Sequence, residues 1–328
     1  MDLTTAKAFV TGGSGFVGRA LISALHAKGA QVVALARSQA AAAKVIEAGA
    51  TPAMGELSDQ DALRTGMAGC SVVFHAAAEV SDWGPRARFY EVTVRGTERA
   101  LAAARDAGAA KFVHIGTEAV LAAGAPIVDA DETAPYPAKP LGLYPWSKGL
   151  AERAVIAANG DGLTTVSVRP RLIWGKGDTT ILPQVADAMR RGVFVWFGNG
   201  HHPTSTCHVR NDVEGTLLAA ERGEGGNIYF LTDGPPVDFR DFITEMAATQ
   251  GAVAPTRCVP LWVAHGVALA GEAVWGALNL AGRPMLTRTA INVFFMQVTV
   301  NDQKARERLG YRALVTRAQG LAEMRAVV

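Results

Sequence analysis

Cysteine is scarce in this chain. Its 328 residues include three cysteines, Cys70, Cys207 and Cys258, which are widely spaced and odd in number. A disulfide framework uses an even and denser set, so we expect free thiols and a reducing, cytoplasmic setting. We also expect no secretory signal, because the apolar residues 6–10 run directly into a glycine-rich turn.

Charged residues are also few. They make up 19% of the chain, and 32 basic against 30 acidic residues give a net charge of +2. This balance leaves no basic surface for nucleic acid, so we expect a small-molecule ligand instead. The hydrophobic fraction of 49% excludes a disordered chain. The length fits one large α/β domain with a smaller lobe, acting as a monomer or homodimer.

Long uninterrupted hydrophobic runs are missing. The longest apolar stretch, residues 261–281, is broken by His265, Glu272 and Asn279, so we do not expect it to span a membrane. These three residues recur every seven positions, and a helix would align them in one polar stripe. The stretch is then either a buried helix with one polar edge or a lid over an apolar substrate. A surface that touches a partner subunit or, peripherally, a membrane remains a third interpretation.

What the chain does have is an alternation of strand-like and helix-like segments. Apolar, β-branched runs alternate with helical spacing through the first half, which indicates parallel crossover units. The predicted strands are residues 6–10, 31–35, 71–75, 111–115, 163–168 and 227–231. We therefore predict an α/β fold of the Rossmann type, a doubly wound parallel sheet with helices on both faces. Residues 1–173 would bind the cofactor, and residues 174–328 would form a smaller substrate lobe that returns to the sheet at about 205–232.

A glycine-rich loop follows the first predicted strand and opens the first helix. Gly12, Gly15 and Gly18 have the spacing G-x-x-G-x-x-G. Glycines at these positions permit a tight turn and close approach of a pyrophosphate, and the helix start offers free N–H groups. The predicted dinucleotide contacts in this loop are Gly12, Ser14, Gly15, Phe16, Val17 and Gly18.

The end of the second strand indicates which dinucleotide is bound. A ribose 2′-hydroxyl is usually held by a carboxylate about 20 residues after the glycines. No carboxylate occurs between Asp2 and Glu47, and Arg37 followed by Ser38 stands at the strand end instead. A guanidinium matches a 2′-phosphate, so NADP(H) is favoured, with NAD(H) as the alternative.

Tyr144 and Lys148 form a Y-x-x-x-K pattern at the start of a predicted helix, one turn apart on the same face. A nearby ammonium lowers the pKa of a tyrosine, which makes its phenol usable for proton transfer. The lysine can also hold the nicotinamide ribose. Thr117 follows the predicted strand at 111–115, at the edge where ligands bind in open sheets, and its hydroxyl can bond a substrate carbonyl.

These motifs resemble the extended short-chain dehydrogenase/reductases of the NAD-dependent epimerase/dehydratase superfamily. Besides the glycine loop and Tyr144 with Lys148, the resemblance rests on five further runs. They are Phe74-His75-Ala76-Ala77-Ala78, Val113-His114-Ile115-Gly116-Thr117-Glu118-Ala119-Val120, Arg169-Pro170-Arg171-Leu172-Ile173-Trp174-Gly175, Cys207-His208-Val209-Arg210-Asn211-Asp212-Val213 and Tyr229-Phe230-Leu231-Thr232-Asp233-Gly234. The chain is most similar to the 3β-hydroxysteroid dehydrogenase and sterol-4-carboxylate dehydrogenase branch. Bacterial reductases of long-chain β-keto acids share these sequence motifs.

The resemblance implies that Thr117, Tyr144 and Lys148 are the catalytic set. It also implies cofactor contacts from Ala76, Ala77 and Ala78 after the fourth strand, from Glu56 and Leu57 after the third, and from Pro170 beside the nicotinamide. The chain departs from the family pattern at three places. Glu56 stands where Asp is usual, Thr93 stands where Asn is usual, and Gly116 replaces a common serine.

The leading hypothesis is an NADP(H)-dependent ketoreductase or alcohol dehydrogenase that acts on a bulky apolar molecule. The residues expected to contact the substrate are Val80, Trp83, Glu118, Arg171, Ile173 and Trp275. Two alternatives remain: a nucleotide-sugar epimerase or dehydratase with bound NAD, and a non-catalytic dinucleotide sensor. No metal site is expected, because His201, His202, Cys207 and His208 do not have the spacing of metal ligands.

Overall fold

The structure is a computed structural model that describes residues 1–278 and 280–325. Its strands within those ranges are β1 (Lys7–Thr11), β2 (Gln31–Ala36), β3 (Thr51–Met54), β4 (Val72–His75), β5 (Lys111–Ile115), β6 (Ile127–Ala130), β7 (Thr164–Pro170), β8 (Ile173–Trp174), β9 (Trp196–Phe197), β10 (Pro203–Thr204), β11 (Cys207–His208), β12 (Asn227–Leu231), β13 (Val237–Asp238), β14 (Cys258–Val259) and β15 (Val298–Val300).

The helices of the same ranges are α1 (Phe16–Ala27), α2 (Gln39–Glu47), α3 (Gln60–Met67), α4 (Arg86–Phe89), α5 (Gly96–Asp106), α6 (Leu143–Ala157), α7 (Leu182–Arg190), α8 (Val209–Arg222), α9 (Phe239–Ala248), α10 (Leu261–Leu278), α11 (Arg288–Phe295) and α12 (Arg317–Arg325). Tyr90–Arg95 and Ala305–Leu309 are π-helical, and Glu118–Leu121 is a 3₁₀ turn.

The main sheet of the described residues has seven strands in the order β12-β7-β5-β4-β1-β2-β3, and all its pairings are parallel. The predicted doubly wound Rossmann fold is therefore confirmed. The order reverses beside β1, where chain connections run to β2 on one side and β4 lies on the other. Loops at the carboxyl ends of β1 and β4 consequently diverge and leave a crevice, which is where open α/β sheets bind ligands.

Helices cover both faces of this sheet, and each face has its own core. On one face, Ile22 of α1, Val45 of α2 and Leu217 of α8 belong to one apolar cluster. On the other face, Leu63 of α3 and Leu101 of α5 pack in a second cluster with α6. Strands buried on both sides consist of nearly continuous apolar runs, which explains why β1, β4 and β5 could be predicted from the sequence.

The second half adds a smaller sheet in the order β13-β10-β15-β6 and a separate aromatic core. Trp174, Trp196 and Phe242 are buried in this core, which also includes residues of α7, α9 and α12. Strand β12 and helix α8 also come from the second half, but they join the main sheet. The three cysteines are free thiols, two of them buried and Cys258 exposed.

Helix α10 differs from the other long helices. It is long and apolar enough to cross a membrane by length and composition alone, yet most of it is exposed. Its small residues Ala264 and Ala268 face the protein, and Glu272 forms an ion pair with Arg288 at 2.7 Å. A buried helix with one exposed polar edge is therefore excluded, because only Ala264 and Ala268 of α10 are buried and the Glu272 side chain is largely covered. Asn279, the last member of the predicted polar stripe, lies outside the described residues.

Candidate active site

The glycine loop connects β1 to α1 and leaves no room for side chains. Gly12 has φ +70°, and a Cβ there would stand 2.8 Å from the backbone of Ala76 and Ala77. A Cβ on Gly18 would lie within the contact distance of the Gly12 carbonyl. Gly15, the N-cap of α1, provides no side-chain cap, so the first N–H groups of the helix remain available to an anion. This cradle fits the pyrophosphate of a dinucleotide.

The other predicted cofactor residues border the same crevice or its end. In the glycine loop, Phe16 is buried, whereas Ser14 and Val17 are partly exposed. Ala76, Ala77 and Ala78, directly after β4, are half-buried, and Pro170 is buried at the end of β7 opposite Leu231. These positions line up along the carboxyl edge of the parallel strands.

The residues predicted to select the dinucleotide lie at the ends of β2 and β3. Arg37 is exposed and forms no ion pair with any residue of the described ranges. The Ser38 hydroxyl accepts a hydrogen bond from the Ala41 N–H at 3.2 Å and so caps α2. Glu56 is exposed, while Leu57 packs beneath Gly96, where a Cβ would approach its side chain to 2.8 Å.

A buried chain of hydrogen bonds supports the crevice from behind. His75 lies between the hydroxyls of Thr11 and Thr97, at 2.8 and 2.9 Å. Because Thr97 donates to the Thr93 carbonyl at 2.6 Å, it accepts from His75 Nε2–H, and Thr11 donates to Nδ1. Burial, reinforced by the Lys148 charge, lowers the His75 pKa to about 3, so the ring stays neutral. These hydrogen bonds were not predicted from the sequence, although His75 is a polar residue in an otherwise apolar strand.

Thr93, which replaces a usual asparagine, has a defined partner. Its hydroxyl accepts a hydrogen bond from the Glu79 N–H at 3.0 Å, which holds the loop after β4. Glu79 in turn accepts from the Ser81 hydroxyl and pairs with Arg88. Thr93 therefore fixes the loop that follows the predicted cofactor residues.

Tyr144 stands in the first turn of α6 and is half-buried. Burial raises the pKa of its phenol to about 12, the negative charge of Glu118 adds to this, and a hydrogen bond with the Thr117 side chain opposes it. The Thr117 hydroxyl itself donates to Glu118 at 2.8 Å. Thr117 and Tyr144 are thus brought together, with a buried carboxylate beside them.

Lys148 is buried one turn further along α6. Its ammonium donates to the Ile115 carbonyl at 2.7 Å and lies 3.1 Å from His114 Nε2. Burial lowers the pKa of Lys148 to about 8, and Glu152 opposes the shift. The expected lowering of the Tyr144 pKa by Lys148 is not found, because burial and Glu118 dominate at the phenol while the ammonium points to β5.

Glu118 and Arg171, two of the predicted substrate residues, bind each other. Arg171 donates to Glu118 at 3.0 Å, to the Val293 carbonyl at 2.5 Å and to Thr204 at 3.3 Å, and both charged side chains are buried. Burial lowers the pKa of Arg171, and Glu118 opposes that shift. Since these charges satisfy each other, their contact with a substrate stays a prediction.

The remaining predicted substrate residues lie on the loop after β4, on β8 and on α10. Val80 is exposed, and Trp83, Ile173 and Trp275 are half-buried. The indole Nε1 of Trp275 is enclosed and has no hydrogen-bond partner in residues 1–278 and 280–325. Trp275 therefore keeps one unsatisfied donor facing the interior.

Asp82 connects the loop after β4 to the region between α10 and α11. Its carboxylate accepts hydrogen bonds from Arg283 at 3.2 Å and from the Thr287 hydroxyl at 2.9 Å. The loop that carries Trp83 is thereby joined to the segment that follows α10. The cofactor edge and the second half of the chain are held together at this point.

A second buried ion pair lies behind the catalytic candidates. Arg169 contacts Glu152 at 2.6 Å, and the same carboxylate accepts from Ser167 and Tyr136, each at 2.7 Å. Gly116 explains why this acid fits, because a Cβ there would stand 2.9 Å from Glu152 Oε1 and 2.7 Å from the Val168 carbonyl. Gly116 was recognisable in the sequence as a departure from the family pattern, but these neighbours were not.

The histidines and cysteine of the 201–208 segment serve different neighbours. His208 packs edge-on against Trp174, and Cys207 is buried. His201 pairs with Asp238 at 3.0 Å and lies near Asp241, all at the surface. Asp238 accepts the Asp241 N–H at the start of α9, so its carboxylate already has a helix-capping role.

Comparison with known proteins places the chain among reductases. Residues 9–261 match the model of the 3-beta hydroxysteroid dehydrogenase/isomerase family. The chain is 50% identical over 319 residues to a 4-hydroxy-2-methyl-3-oxo-4-farnesyl-3,4-dihydroquinoline-1-oxide ketoreductase of Stigmatella aurantiaca, covering 97% of this chain and 96% of that one. It is 32% identical over 328 residues to a 2-alkyl-3-oxoalkanoate reductase of Stenotrophomonas maltophilia, covering 98% of each.

The solved structures agree with the fold. The crystal structure of gox2253 matches with a TM-score of 0.79 and 27% identity over 98% of both chains. Together with the glycine cradle and the family match over most of the chain, this confirms the resemblance drawn from the sequence motifs. The chain belongs to the 3-beta hydroxysteroid dehydrogenase/isomerase family of extended short-chain dehydrogenase/reductases, and it is an NAD(P)-dependent oxidoreductase that acts on CH–OH groups.

Proposed function

We propose that this enzyme reduces a ketone on a bulky apolar molecule and uses NADPH as the hydride source. The observation that carries the proposal is the environment of Tyr144. Tyr144 lies beside Thr117 and the buried Glu118 at the carboxyl edge of the sheet, and burial, which raises the pKa of the phenol to about 12, leaves it a proton to donate to a carbonyl oxygen. The reductive direction is favoured by the relatives that are named as a ketoreductase and a reductase.

The three catalytic candidates have separate tasks in this proposal. Bound NADPH would supply the hydride, and Tyr144 would give its proton to the carbonyl oxygen. Thr117 orients that oxygen when its hydroxyl proton, which Glu118 accepts at 2.8 Å before substrate is bound, turns to the carbonyl. Lys148 holds the nicotinamide ribose, and its position between His114 and the Ile115 carbonyl preorganises the ammonium for this role.

The substrate class is supported by chemistry on both sides. The two relatives are named for a farnesyl-bearing quinoline oxide and for a 2-alkyl-3-oxoalkanoate, each of which joins hydrocarbon to a keto group. In this chain, Trp83, Ile173 and Trp275 supply apolar surface. The buried charges of Glu118 and Arg171 form an ion pair with each other. A sugar nucleotide would need free polar and cationic contacts, so the epimerase alternative is disfavoured.

The preference for NADP(H) rests on Arg37. An exposed guanidinium at the end of β2 can pair with a ribose 2′-phosphate, and Ser38 can add a donor because its hydroxyl proton is not used in capping α2. Arg37→Asp should lose a charge-assisted contact of roughly 1.5–3 kcal/mol and shift the preference toward NAD(H). Dissociation constants of both cofactors, measured on both proteins, test this; a wild type that prefers NADH contradicts it.

The central test is a screen of NADPH consumption over steroid, β-keto ester and aryl ketone substrates. Tyr144→Phe should lower kcat by about two to four powers of ten while leaving NADPH binding intact, because the phenol only transfers a proton. Tyr90→Phe is the matched control, since Tyr90 stacks on Trp146 outside the catalytic set. Binding of NADPH without turnover on any ketone would instead identify a dinucleotide sensor.

A further inference from the structure

His114 is a polar residue that the fold buries completely. It stands in β5 between the apolar residues Val113 and Ile115, and its side chain is 0% exposed. Its Nε2 lies 3.1 Å from the Lys148 Nζ, and within residues 1–278 and 280–325 the imidazole has no other hydrogen-bond partner, since Nδ1 is unpaired there. An unpaired buried polar atom destabilises a fold, so the contact with Lys148 is the polar interaction that favours a histidine at this position.

The direction of this hydrogen bond follows from the protonation of its two partners. Burial, reinforced by the Lys148 charge, lowers the pKa of His114 well below its ordinary value, so the ring is neutral. An ammonium can only donate, and the neutral Nε2 therefore accepts while the ring hydrogen sits on Nδ1. The Ile115 carbonyl accepts a second ammonium hydrogen at 2.7 Å. The third hydrogen of Lys148 has no partner among the described residues and remains available to the nicotinamide ribose.

Other charged and titratable side chains surround this pair without replacing His114 as an acceptor. They are His75 on β4, Arg169 on β7, and Tyr144 and Glu152 on α6. His75 packs edge-on against His114, and hydroxyl groups contact both of its ring nitrogens. Glu152 opposes the lowering of the Lys148 pKa through its charge, but its carboxylate is bound by Arg169. In the part of the chain that the structure describes, His114 is thus the one side chain that accepts from the ammonium.

We propose that His114 is a positioning residue, which accepts a hydrogen bond from Lys148 and thereby holds this lysine in its ammonium form, directed toward the nicotinamide ribose. The assignment rests on the proposed function for the ribose contact of Lys148. A neutral amine would lack the positive charge that stabilises the phenolate left when Tyr144 has given up its proton. Loss of the Lys148 proton then sets the upper pH limit of ketone reduction.

The pKa values of the neighbouring groups separate this limit from other titrations. Burial lowers the pKa of Lys148 to about 8 and raises the pKa of Tyr144 to about 12. His75, whose pKa burial lowers to about 3, stays neutral over the range between them, and so does His114. A decline of activity that begins near the lower value therefore reports on Lys148. Because a hydrogen bond to the ammonium favours its charged form, removing the acceptor at His114 should lower the pKa of Lys148 further.

The pH dependence of kcat/KM and of the dissociation constant of NADPH tests this role. Both are measured on the full-length protein from about pH 6 to about pH 10, and binding is followed by the fluorescence of NADPH. His114→Leu should move the alkaline limb of both profiles down by about one pH unit, a tenfold change in the proton affinity of Lys148. His114→Gln should keep the limb where wild type has it, because its amide oxygen can accept near the position of Nε2.

Phe112→Leu is the matched control. Phe112 is also 0% exposed and lies two positions before His114 on the same side of β5. The control should lower the melting temperature and leave both limbs in place. If His114→Leu does not fold, His114→Met takes its place, because a thioether is only a weak acceptor. An unmoved limb in the variant that lacks an acceptor, or an equal shift in His114→Gln or Phe112→Leu, overturns the proposal.

Failure of the proposed function has a different signature. If the limb of NADPH binding shifts as expected but no ketone is reduced by any of the proteins, the reductase activity is refuted and the role of His114 toward Lys148 stands. If wild type reduces a ketone and Tyr144→Phe does not, while both limbs stay in place in His114→Leu, the role of His114 alone is refuted.

Discussion

Two ion pairs of the same chemistry have opposite surroundings in this molecule. Arg169–Glu152 is closed at 2.6 Å with side chains 1% and 0% exposed, and Arg288–Glu272 is closed at 2.7 Å with side chains 48% and 13% exposed. The first lies inside the sheet edge that carries the catalytic candidates. The second attaches α10 to the start of α11. Separating the buried pair on the cofactor side would cost much free energy, because neither charge could reach water. The pair that holds α10 is partly exposed, so water can replace the contact.

Breaking the buried pair should have the largest effect. Glu152→Ala leaves Arg169 charged and without its partner inside the core, which should cost about 3–5 kcal/mol in free energy of unfolding. Urea unfolding measures this. The double variant Glu152→Met with Arg169→Met should recover much of the loss, because no charge is left stranded. If the free energy of unfolding of Glu152→Ala stays within about 1 kcal/mol of the wild-type value, the buried pair is no stronger than an exposed one and the comparison is wrong.

A buried acid without a partner sharpens the comparison. Both carboxylate oxygens of Asp212 on α8 lack a hydrogen-bond partner among the described residues, and burial, with the Asp233 charge, raises the pKa from 3.8 to about 7. The folded state therefore keeps a proton that the unfolded state has lost between these values, so stability falls as pH rises through that window. Asp212→Asn should remove this loss and stabilise the protein by on the order of 3 kcal/mol above pH 7.

The measurement for Asp212→Asn is the midpoint of thermal unfolding from about pH 4 to about pH 8. The two curves should converge at the acid end, where Asp212 is protonated in both states, and separate above neutrality. Parallel curves across the whole range would show that Asp212 has a partner or an ordinary pKa.

Trp275 tests whether the weakly held side contributes to substrate binding. Trp275→Ala should lower kcat/KM for a bulky ketone about tenfold relative to a small one, a difference of about 1.4 kcal/mol, because only a large apolar substrate uses that contact area. The melting temperature should change little, since the side chain is half-exposed. If the ratio of kcat/KM for the bulky and the small ketone is unchanged and the melting temperature falls sharply, Trp275 has a purely structural role.

The exposed pair should show the smallest effect. Glu272→Ala removes a contact whose charges water can solvate, so the free energy of unfolding should fall by less than about 1 kcal/mol. The same urea titration used for Glu152→Ala provides the direct comparison. A loss as large as that of the buried pair would mean that α10 is held as firmly as the sheet edge.

The fold was largely predictable from local patterns. Strands such as β1, β4 and β5 are short apolar runs that alternate with helical segments, and the glycine spacing identified the loop between β1 and α1. These features depend on neighbours along the chain. Thr117, Tyr144 and Lys148 could be assigned to the carboxyl edge of the sheet for the same reason, since the end of a strand and the start of a helix were both predicted from local sequence.

What could not be predicted depends on partners that are distant in sequence. The polar stripe of His265 and Glu272 on α10 was predicted from the sequence. The side of α10 that faces the protein was not, because it depends on the pairing of Glu272 with Arg288 of α11. Arg171 was predicted to touch substrate, and its contact with Glu118 joins residues 53 positions apart. The pKa of Tyr144 likewise follows from burial and from Glu118, which outweigh the nearby lysine that the sequence pattern emphasised.

Gly116 lies where the end of β5 approaches β7 and α6. A Cβ there would stand 2.7 Å from the Val168 carbonyl oxygen and 2.9 Å from both Glu152 Oε1 and Ser167 Oγ. The nearest of these contacts is a main-chain oxygen, which no side-chain substitution removes. Restoring the usual serine therefore requires β7 itself to shift, and replacing Glu152 alone would not make room for it.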